Sequence, residues 1–459
     1  MMGRKKFDMK QYHNLSLDNL VSPHELYRKI EEAVNFSFIY DLAKEAYSHT
    51  GQPSLDPVVF FKIELVGFLE GIHEDRALER RMKDSLAIRW FLGYDLDETM
   101  PVHSTISRAR KDRISKIVYQ AVFDHILGIC IRHQLVKGHH QSIDSTLLKA
   151  NASLESLEML QPKVQAHYEK IMGGSVSEGS DPSSGGIRHQ RRDPEAKAAK
   201  KPGFPGAAYY KGSACVDEAF GIITHAQLDD ANKNDAELLK PIVQNVKERL
   251  TRQRLPFCSL ATDKGFYSAE NLKWLSDQSL TAYMTPRILA TLQGDFARDK
   301  FRYDAQKDRF ICPEGKKLYF RQIDHDLPHL RRYRAHEKDC GACSQKSLCT
   351  KGKARTLQFS IHEDLITQAF QRSQSLAAKA YDRLRRIQAE GTFANLKEVL
   401  KFKKLYSLGR DSASKRFLMG CAVINLKKLL RFWRHLCQLF CKALQLFKET
   451  SKNPMGVAF

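Results

Sequence analysis

Three acidic residues, far apart in the sequence, each stand where a folded chain can present a carboxylate to a common site. Asp144 lies in the apolar and β-prone run Gln141–Asn151, which predicts a central strand whose end carries a functional carboxylate. Asp263 follows a similar run, Leu260–Thr262, and Glu390 lies in a strongly patterned helix. Carboxylates are the hard oxygen ligands that Mg²⁺ prefers, and two such ions can activate a water or a 3′-hydroxyl in phosphoryl transfer.

An isolated aspartate in a strand is more often an edge or turn residue than a functional one, so Asp144 alone predicts little. The three acids together predict more. Two carboxylates about 4 Å apart repel by about 4 kcal/mol at an effective dielectric constant near 20. Because such a cluster does not stabilise a fold by itself, the sequence predicts a cation site at Asp144, Asp263 and Glu390.

Basic residues flank Glu390 along its predicted helix. Arg383, Arg386, Glu390 and Lys397 are separated by three, four and seven residues. At about 100° per residue, their side chains fall within roughly one third of the helix circumference. One acid among three bases suits a site that binds phosphate and metal together. A solvated helix face of alternating charge is the competing interpretation.

The composition, with 42% hydrophobic and 28% charged residues in a chain of 459, is that of a soluble globular protein and excludes a disordered or fibrous one. The length predicts two or three domains. The 74 Lys and Arg exceed the 53 Asp and Glu by 21, which favours a polyanionic partner. Association with the ribosome, or a basic surface that serves only solubility, would give the same surplus.

We expect no signal peptide, because the basic Met1–Lys6 has no apolar run behind it. We also expect no membrane-spanning segment: the closest approach, Cys421–Phe447, is interrupted by basic residues and predicts an amphipathic helix. The ten cysteines are then expected to be thiols or metal ligands. Together these features predict a cytoplasmic protein.

Residues 1–135 predict an all-α domain. Within it, a helix over Asp75–Phe91 is followed by a polar turn and by a second, basic helix that opens at Val102. This order is typical of a helix-turn-helix segment, whose second helix enters the major groove of DNA; a basic helix on an ordinary surface is the alternative. The side chains expected to contact DNA are those of Arg108, Arg110 and Lys111.

Residues 136–290 predict a sheet of mixed direction in an α/β arrangement, which resembles the first part of a ribonuclease-H-like fold. We expect a helix at Ser156–Met172, and residues 173–206 predict a flexible basic loop that lies on a phosphate backbone or is simply solvated. The elements predicted after this loop are the hairpin strands Ser213–Val216 and Phe220–Leu228, helix Asp235–Leu250, strand Phe257–Thr262, helix Ser268–Ser276 and strand Thr281–Thr285.

Residues 291–358 predict a small cysteine-bearing insertion, and residues 359–436 the last helices of the core, one from about Leu365 through Leu400 and another over Ser414–Leu436. Residues 437–459 are expected to be a C-terminal tail. Four cysteines of the insertion would supply thiolates to a structural Zn²⁺, with free thiols or a redox pair as the alternatives; they are Cys312, Cys340, Cys343 and Cys349. The others are expected to be small core residues: Cys130, Cys215, Cys258, Cys421, Cys437 and Cys441.

The chain resembles the bacterial insertion-sequence transposases of the DDE class, in the group with a helical N-terminal domain and a cysteine-bearing insertion. The spacing Tyr, two residues, Arg, three residues, Glu, six residues, Lys of these enzymes is met by Arg386, Glu390 and Lys397, with Arg383 in the tyrosine position. The other stretches that carry the resemblance are Ser142–Thr146 with Lys149–Ala152, Arg192–Ala196, Ala261–Ser268 with Asn271 and Leu272, and residues 52–113.

The resemblance implies an enzyme that binds the terminal inverted repeats of its element and cleaves and transfers DNA strands. Asp144, Asp263 and Glu390 would hold Mg²⁺ or Mn²⁺, as two ions, while Arg386 and Lys397 contact the DNA backbone. Arg383, in the tyrosine position, would also contact DNA, because an arginine can reach a phosphate. The partners would be the transposon ends, the target DNA and a second copy of the chain in the synaptic complex. A catalytically inactive DNA-binding descendant and a structure-specific nuclease remain as alternative functions, and a zinc-dependent transcription factor as a third.

Overall fold

The computed structural model describes residues 15–47, 54–151, 157–159, 188–190, 193–199, 207–285, 296–325 and 329–452. These residues form a group of N-terminal helices, a main sheet of six strands, a second sheet of five strands, a two-stranded ribbon and a group of C-terminal helices.

The N-terminal helices begin and end at residues suited to capping. Helix α4 starts after Asp56, whose Oδ1 accepts hydrogen bonds from the N–H groups of Val58 (2.7 Å) and Val59 (3.0 Å). It ends at Gly71, whose φ of 67° is readily adopted only by glycine. The described N-terminal helices are α1 (Leu17–Leu20), α2 (Leu26–Ala33), α3 (Phe38–Ala43), α4 (Pro57–Glu70), α5 (Asp75–Asp84), α6 (Leu86–Leu92), α7 (His103–Arg108) and α8 (Lys116–Arg132).

The single helix predicted over Asp75–Phe91 is wrong, since α5 and α6 are separate. The Ser85 hydroxyl accepts a hydrogen bond from the N–H of Ile88 (3.3 Å) and so starts a new helix.

No single described helix is long and apolar enough to cross a membrane. The bent pair His103–Arg113 and Lys116–Arg132, whose two helices meet at 96°, reaches the necessary length and apolar composition only when the two are taken together.

The main sheet is centred on β1 and has the order β6–β5–β1–β7–β8. The short strand β4 also pairs with β5, on the same edge as β6 and next to it along β5. Strand β1 runs antiparallel to β5 and parallel to β7, which is parallel to β8. The predicted sheet of mixed direction, its hairpin and its two helices are therefore confirmed. The elements are β1 (His140–Lys149), β4 (Lys197–Ala199), β5 (Ala207–Asp217), β6 (Ile223–Asp230), α9 (Asp235–Arg252), β7 (Ser259–Thr262), α10 (Ala269–Asp277) and β8 (Thr281–Tyr283).

The stretch between β1 and β5 differs from its prediction where it is described. Leu157–Met159 (β2) is a strand paired with Arg188–Gln190 (β3), so the helix predicted at Ser156–Met172 is wrong at its start, because cross-strand pairing overrides local propensity. Strands β3 and β4 both lie inside the loop predicted at 173–206. The rest of that predicted helix and loop lies outside the described residues.

The second sheet is entirely antiparallel, in the order β13–β12–β11–β10–β9. One of its faces covers a small apolar cluster of its own, which includes Phe310, Leu318 and Tyr333. Its elements are β9 (Arg302–Asp304), β10 (Arg309–Ile311), β11 (Lys317–Ile323), β12 (Leu330–Ala335), α11 (Glu337–Gly341), α12 (Lys346–Cys349) and β13 (Thr356–Ser360).

The single helix predicted through Leu400 is instead a broken run. It comprises α13 (Glu363–Ser373), α14 (Leu376–Arg385), a π turn at Arg386–Glu390, α15 (Gly391–Ala394) and a second π turn at Asn395–Val399. The Ser375 hydroxyl accepts from the N–H of Ala378 (3.1 Å) and separates α14 from α13. Two π turns on either side of α15 are unusual, because such turns are rare and often occur at functional sites.

The last helix, α16 (Arg410–Lys452), joins the N-terminal helices to the main sheet. It extends through much of the predicted tail, so that prediction is wrong up to residue 452. Its start is held by Asp193 and Glu195, which accept from the N–H groups of Gly409 (3.3 Å) and Arg410 (2.7 Å). Buried residues of α4, α8, β5 and α16 belong to one apolar core, so the helical region and the main sheet share a single interior.

Candidate carboxylate site

The main sheet places Asp144 and Asp263 side by side. Ile143 on β1 is paired in parallel register with Thr262, the last residue of β7. The residues that follow are Asp144 and Asp263, so the two acids are neighbours at the level where β7 ends. The predicted position at a strand end holds for Asp263 but not for Asp144, because β1 continues to Lys149.

Glu390 is brought to the same place from the C-terminal helices, at the last position of the first π turn. Arg385 connects it to β1, with Nη2 3.1 Å from Glu390 Oε1 and Nη1 3.6 Å from Asp144 Oδ2. We call Asp144, Asp263 and Glu390 the carboxylate site.

The environment of Asp144 disfavours its negative charge. Burial, together with the charges of Glu390 and Asp263, raises the pKa of this carboxyl group to about 6. The N–H of Ser145, which donates to Asp144 Oδ1 at 2.8 Å, and the guanidinium of Arg385 act in the opposite direction. The three acids are thus close enough to affect one another, and Asp144 is the most buried of them.

Arg385 is the residue that the sequence did not reveal. Its side chain is only 7% exposed, whereas the adjacent Arg386, predicted to lie beside Glu390, is exposed and has its Nη2 2.6 Å from Asp382 Oδ2. The π turn explains why Arg385, and not Arg386, lies beside Glu390. The backbone hydrogen bonds of a π turn join residues five apart, and Arg385 and Glu390 have that separation. Arg383 is also exposed. A spacing argument based on 3.6 residues per turn therefore does not find the arginine that contacts Asp144 and Glu390, and the predicted DNA contact of Arg386 stays a prediction.

Lys397 and Tyr381 fix the helical run against β1. Lys397 donates from Nζ to the hydroxyl of Thr146 (2.7 Å), two residues beyond Asp144 on the same strand face. Tyr381 of α14 stacks on His140 of β1, with ring centroids 3.7 Å apart. Burial lowers the pKa of His140 to about 4, so this imidazole is neutral at physiological pH. Together these contacts hold Arg385 and Glu390 over the centre of the sheet.

The donor set suits a divalent cation, because three hard carboxylate groups converge and a guanidinium cation already lies between two of them. Glu390 is 52% exposed and Asp263 is exposed, so the site is open to solvent. Across the residues that the structure describes, no group of three or more His, Cys, Asp or Glu side chains is assembled at metal-binding spacing.

The three basic residues predicted to contact DNA in the N-terminal region have different environments. Arg108 and Lys111 are exposed, as a DNA contact requires. Arg110 is buried and forms hydrogen-bonded ion pairs with Glu64 (2.6 Å) and Asp75 (2.8 Å), so its guanidinium is not presented to a partner. We call Glu64, Asp75, Arg110 and Arg416 the interhelix cluster, because they link α4, α5 and α16 with the segment that follows α7.

Four cysteines of the second sheet line one small cavity of about 20 Å³, with Cys312 from the turn after β10 and the others on or near α11 and α12. Two of the sulfur atoms accept backbone hydrogen bonds, Cys312 Sγ from Lys316 (3.2 Å) and Cys340 Sγ from Arg355 (3.4 Å). Burial raises the pKa of the Cys349 thiol, and the other three thiols raise it further. The cavity holds about one water-sized sphere.

The expectation for the six other cysteines is half right. Cys130, Cys215 and Cys421 are buried core residues. Cys258, Cys437 and Cys441 are exposed, which corrects the prediction that they too lie in the core, since the apolar stretch around the last two belongs to a part of α16 that leaves the core.

Two family models match the chain. The model described as Transposase domain (DUF772) matches residues 15–112, and the model described as Transposase DDE domain matches residues 311–430. The second match contains Arg385, Glu390 and the four cysteines of the second sheet. Asp144 and Asp263 lie between the two matches.

Solved structures of transposases show a distant likeness. The piggyBac transposase synaptic complex with hairpin DNA is 12% identical, with 87% of this chain and 73% of that chain covered and a TM-score of 0.32. The Mos1 transposase paired-end complex with left transposon end is 10% identical, with coverages of 51% and 61% and a TM-score of 0.17. No curated protein matches the chain.

Proposed function

We propose that this chain cleaves DNA strands at the terminal inverted repeats of its element and joins the freed 3′ ends to target DNA. Its two family matches identify it as a DDE transposase of the insertion-sequence type. The observation that carries the proposal is the convergence of Asp144, Asp263 and Glu390 from three separate stretches, at a place where their charges repel. A fold keeps such a cluster at a cost in stability, which a bound cation offsets.

The sheet supports this reading. In chain order, the first strand is central, a hairpin lies on one side of it and two parallel strands follow on the other side. This is the order expected of a ribonuclease-H-like core, in which the first strand and its parallel neighbour carry the first two acids. The second sheet would then be an insertion between that core and its last helices.

Asp144, Asp263 and Glu390 would hold Mg²⁺ or Mn²⁺, as two ions. Bound there, divalent ions make a water or a 3′-hydroxyl more nucleophilic and stabilise the leaving oxygen. The chain's own residues provide the frame: β1 and β7 fix two of the acids in register, and the contacts of Tyr381 and Lys397 hold the third above them. Asp144, which lies beside the end of β7 and is contacted by Arg385, would be the most buried of the three ligands.

DNA would approach the open side of this site. Arg383 and Arg386 are exposed on the helical run that carries Arg385 and Glu390, and Arg108 and Lys111 are exposed in the N-terminal helical region. Each phosphate that such side chains neutralise releases counterions, so the net charge of +21 favours binding that weakens with salt. We assign the duplex ends and the target as partners, a homodimer as the synaptic unit, and the cytoplasmic nucleoid as its place of action.

The test uses DNA that flanks the coding sequence of this chain, since an insertion sequence encloses the gene of its transposase. Labelled fragments, supercoiled plasmid and Mg²⁺ or Mn²⁺ are incubated with the purified chain, and cleavage and joining are measured. We expect Asp144→Asn, Asp263→Asn and Glu390→Gln each to reduce both by at least about a thousandfold, as loss of a central catalytic group does. Binding to the same fragments should persist.

The alternative functions give different results in this assay. A nuclease would cut the fragments without joining any 3′ end to the plasmid. An inactive DNA-binding descendant would retain the fragments and cut none. Full metal-dependent cleavage by any one of the three variants would contradict the assignment of that acid.

We further propose that Cys312, Cys340, Cys343 and Cys349 bind a structural Zn²⁺ in the second sheet. Four thiolates suffice for a closed tetrahedral site, and a small cluster of apolar residues gains stability from such an ion. Metal analysis should find about one zinc per chain, lost in Cys343→Ser and retained in the matched control Cys437→Ser. Equal zinc content in both variants would leave free thiols or a redox pair.

A further inference from the structure

We propose that Arg385 is a built-in counter-cation of the carboxylate site, which holds Asp144 and Glu390 together before metal binds and then competes with the metal for their oxygens. This inference rests on the proposed function, because it takes the three acids to be ligands of a divalent cation. It concerns a residue outside the expected motif and assigns it a positioning role.

The geometry places one guanidinium among several acids. Its Nη2 is 3.1 Å from Glu390 Oε1 and 3.4 Å from Asp382 Oδ1, and its Nη1 is 3.6 Å from Asp144 Oδ2. Asp144 and Glu390 belong to β1 and to the π turn, so the arginine links the two elements that carry the first and third acids. Like charges on these elements would otherwise repel them.

Burial limits what else this side chain can do. The Arg385 side chain is 7% exposed, so it is much less accessible to a DNA phosphate than Arg386 at 65%. Its Nε has no hydrogen-bond partner within the described part of the chain. The buried guanidinium therefore contacts the acids through its two Nη atoms, while its Nε–H group has no partner among the described residues.

A divalent cation at Asp144 and Glu390 needs the oxygens that Arg385 now faces. Two cations in contact with one carboxylate oxygen repel, so metal binding requires the guanidinium to withdraw. A second acceptor is within reach, because Asp382 is on the same helix, already 3.4 Å from Nη2, and its side chain is 46% exposed. The structure thus provides both the resting partners of Arg385 and the acid to which it can transfer.

The inference is tested by Mn²⁺ binding to the full chain without DNA, with free Mn²⁺ measured by electron paramagnetic resonance at fixed pH. Arg385→Gln removes the competing charge and should bind Mn²⁺ about tenfold more tightly. The matched control is Arg252→Gln, an arginine on α9 that is 75% exposed and pairs with Glu248 at 3.4 Å; this variant should stay within about twofold of the unaltered chain. Arg385→Lys keeps the charge and should also stay near it.

Asp382→Asn provides a second test that does not depend on the folding of an Arg385 variant, since Asp382 is on the surface. Removing the acid to which the guanidinium withdraws should weaken Mn²⁺ binding about threefold. Unchanged or weaker binding by a folded Arg385→Gln, or unchanged binding by Asp382→Asn, would overturn the role of Arg385.

Glu390→Gln separates this inference from the function beneath it. If Glu390→Gln weakens Mn²⁺ binding while Arg385→Gln leaves it unchanged, only the role of Arg385 fails. If Glu390→Gln has no effect, or the unaltered chain binds no Mn²⁺, the metal-binding carboxylate site fails as well, and the proposed function with it.

Discussion

The interhelix cluster and the carboxylate site both combine acids with buried arginine, and they differ in charge balance. In the interhelix cluster two acids face two guanidinium groups: Arg110 contacts Glu64 and Asp75, and Arg416 contacts the other oxygen of Glu64 at 3.5 Å. The carboxylate site has three acids and one buried guanidinium, that of Arg385, which contacts Asp144 and Glu390. The balanced cluster is suited to holding helices together, and the unbalanced one to accepting another cation.

The two sites also differ in how fully their acids are buried and paired. Both carboxylate oxygens of the fully buried Glu64 accept from arginine, and His73 completes the cluster by contacting Arg416 (3.2 Å) and the carbonyl of Leu400 (2.6 Å). Asp263 and Glu390, by contrast, are exposed. A buried charge that is fully paired is costly to break, whereas an excess of acids destabilises a fold until a ligand neutralises it.

Breaking the balanced cluster should have the largest effect. Glu64→Gln leaves Arg110 and Arg416 buried with one acid fewer, so we expect the free energy of unfolding to fall by about 3 to 5 kcal/mol in urea titrations. The matched control on the same helix is Glu70→Gln, whose partner Arg81 is 41% exposed and whose amide oxygen can still accept from the hydroxyl of Tyr27; it should cost less than about 1 kcal/mol. Equal losses would show that the interhelix cluster is not a structural centre.

A smaller effect on the free energy of unfolding should come from pH, which acts on the interhelix cluster through His73. Burial, followed by the charge of Arg416, lowers the pKa of His73 to about 4 from 6.5. Below pH 6.5 the unfolded chain binds a proton that the folded chain does not, so stability falls as the pH decreases from about 6.5 to about 4. The loss attributable to His73 is at most roughly 3 kcal/mol.

His73→Gln isolates this contribution, because glutamine can still donate to the Leu400 carbonyl and does not titrate. Urea titrations at pH 7 and pH 5 should show a smaller difference for the variant than for the unaltered chain. The same difference in both proteins would assign the acid sensitivity to other groups.

The smallest effect should have the opposite sign. Because burial raises the pKa of Asp144, its ionised form is unfavourable in the fold, and Asp144→Asn removes that charge at the cost of a hydrogen bond. We expect the free energy of unfolding at pH 7.5, measured with a metal chelator, to rise by about 1 kcal/mol. A fall like that of Glu64→Gln would place Asp144 with the structural acids.

The acids of the carboxylate site could be selected from the sequence, and their main basic partner could not. Asp144 and Asp263 stand in β-prone runs that predict neighbouring strands, and the parallel register of β1 and β7 brings them together. Arg385 and Arg386 are both arginines and are adjacent in the sequence, so residue type does not distinguish them. The π turn that selects Arg385 depends on how the helical run packs against β1, which no local spacing reveals.

The same limit applies to the N-terminal helices. Arg108, Arg110 and Lys111 form one basic run, and their charge alone predicts a DNA contact for all three. Burial assigns Arg110 to the interhelix cluster, through partners 46 and 35 residues earlier in the chain. Periodicity does not reveal long-range pairing of this kind, whereas the caps at Asp56 and Gly71 depend on neighbouring residues alone.

A change of ligand at Asp263 tests the central claim most directly. Asp263 is an exposed member of the carboxylate site, and Arg385 contacts the other two acids, so Asp263→Cys alters the donor atom with little effect on packing. Thiolate is a poor ligand for Mg²⁺ and a better one for Mn²⁺. The assay is cleavage of the DNA that flanks the coding sequence, with each metal in turn and with the unaltered chain as the control. We predict cleavage by Asp263→Cys to fall about a hundredfold or more in Mg²⁺ and to recover in part in Mn²⁺; full activity in Mg²⁺, or the same loss in both metals, would contradict a metal-binding role for Asp263.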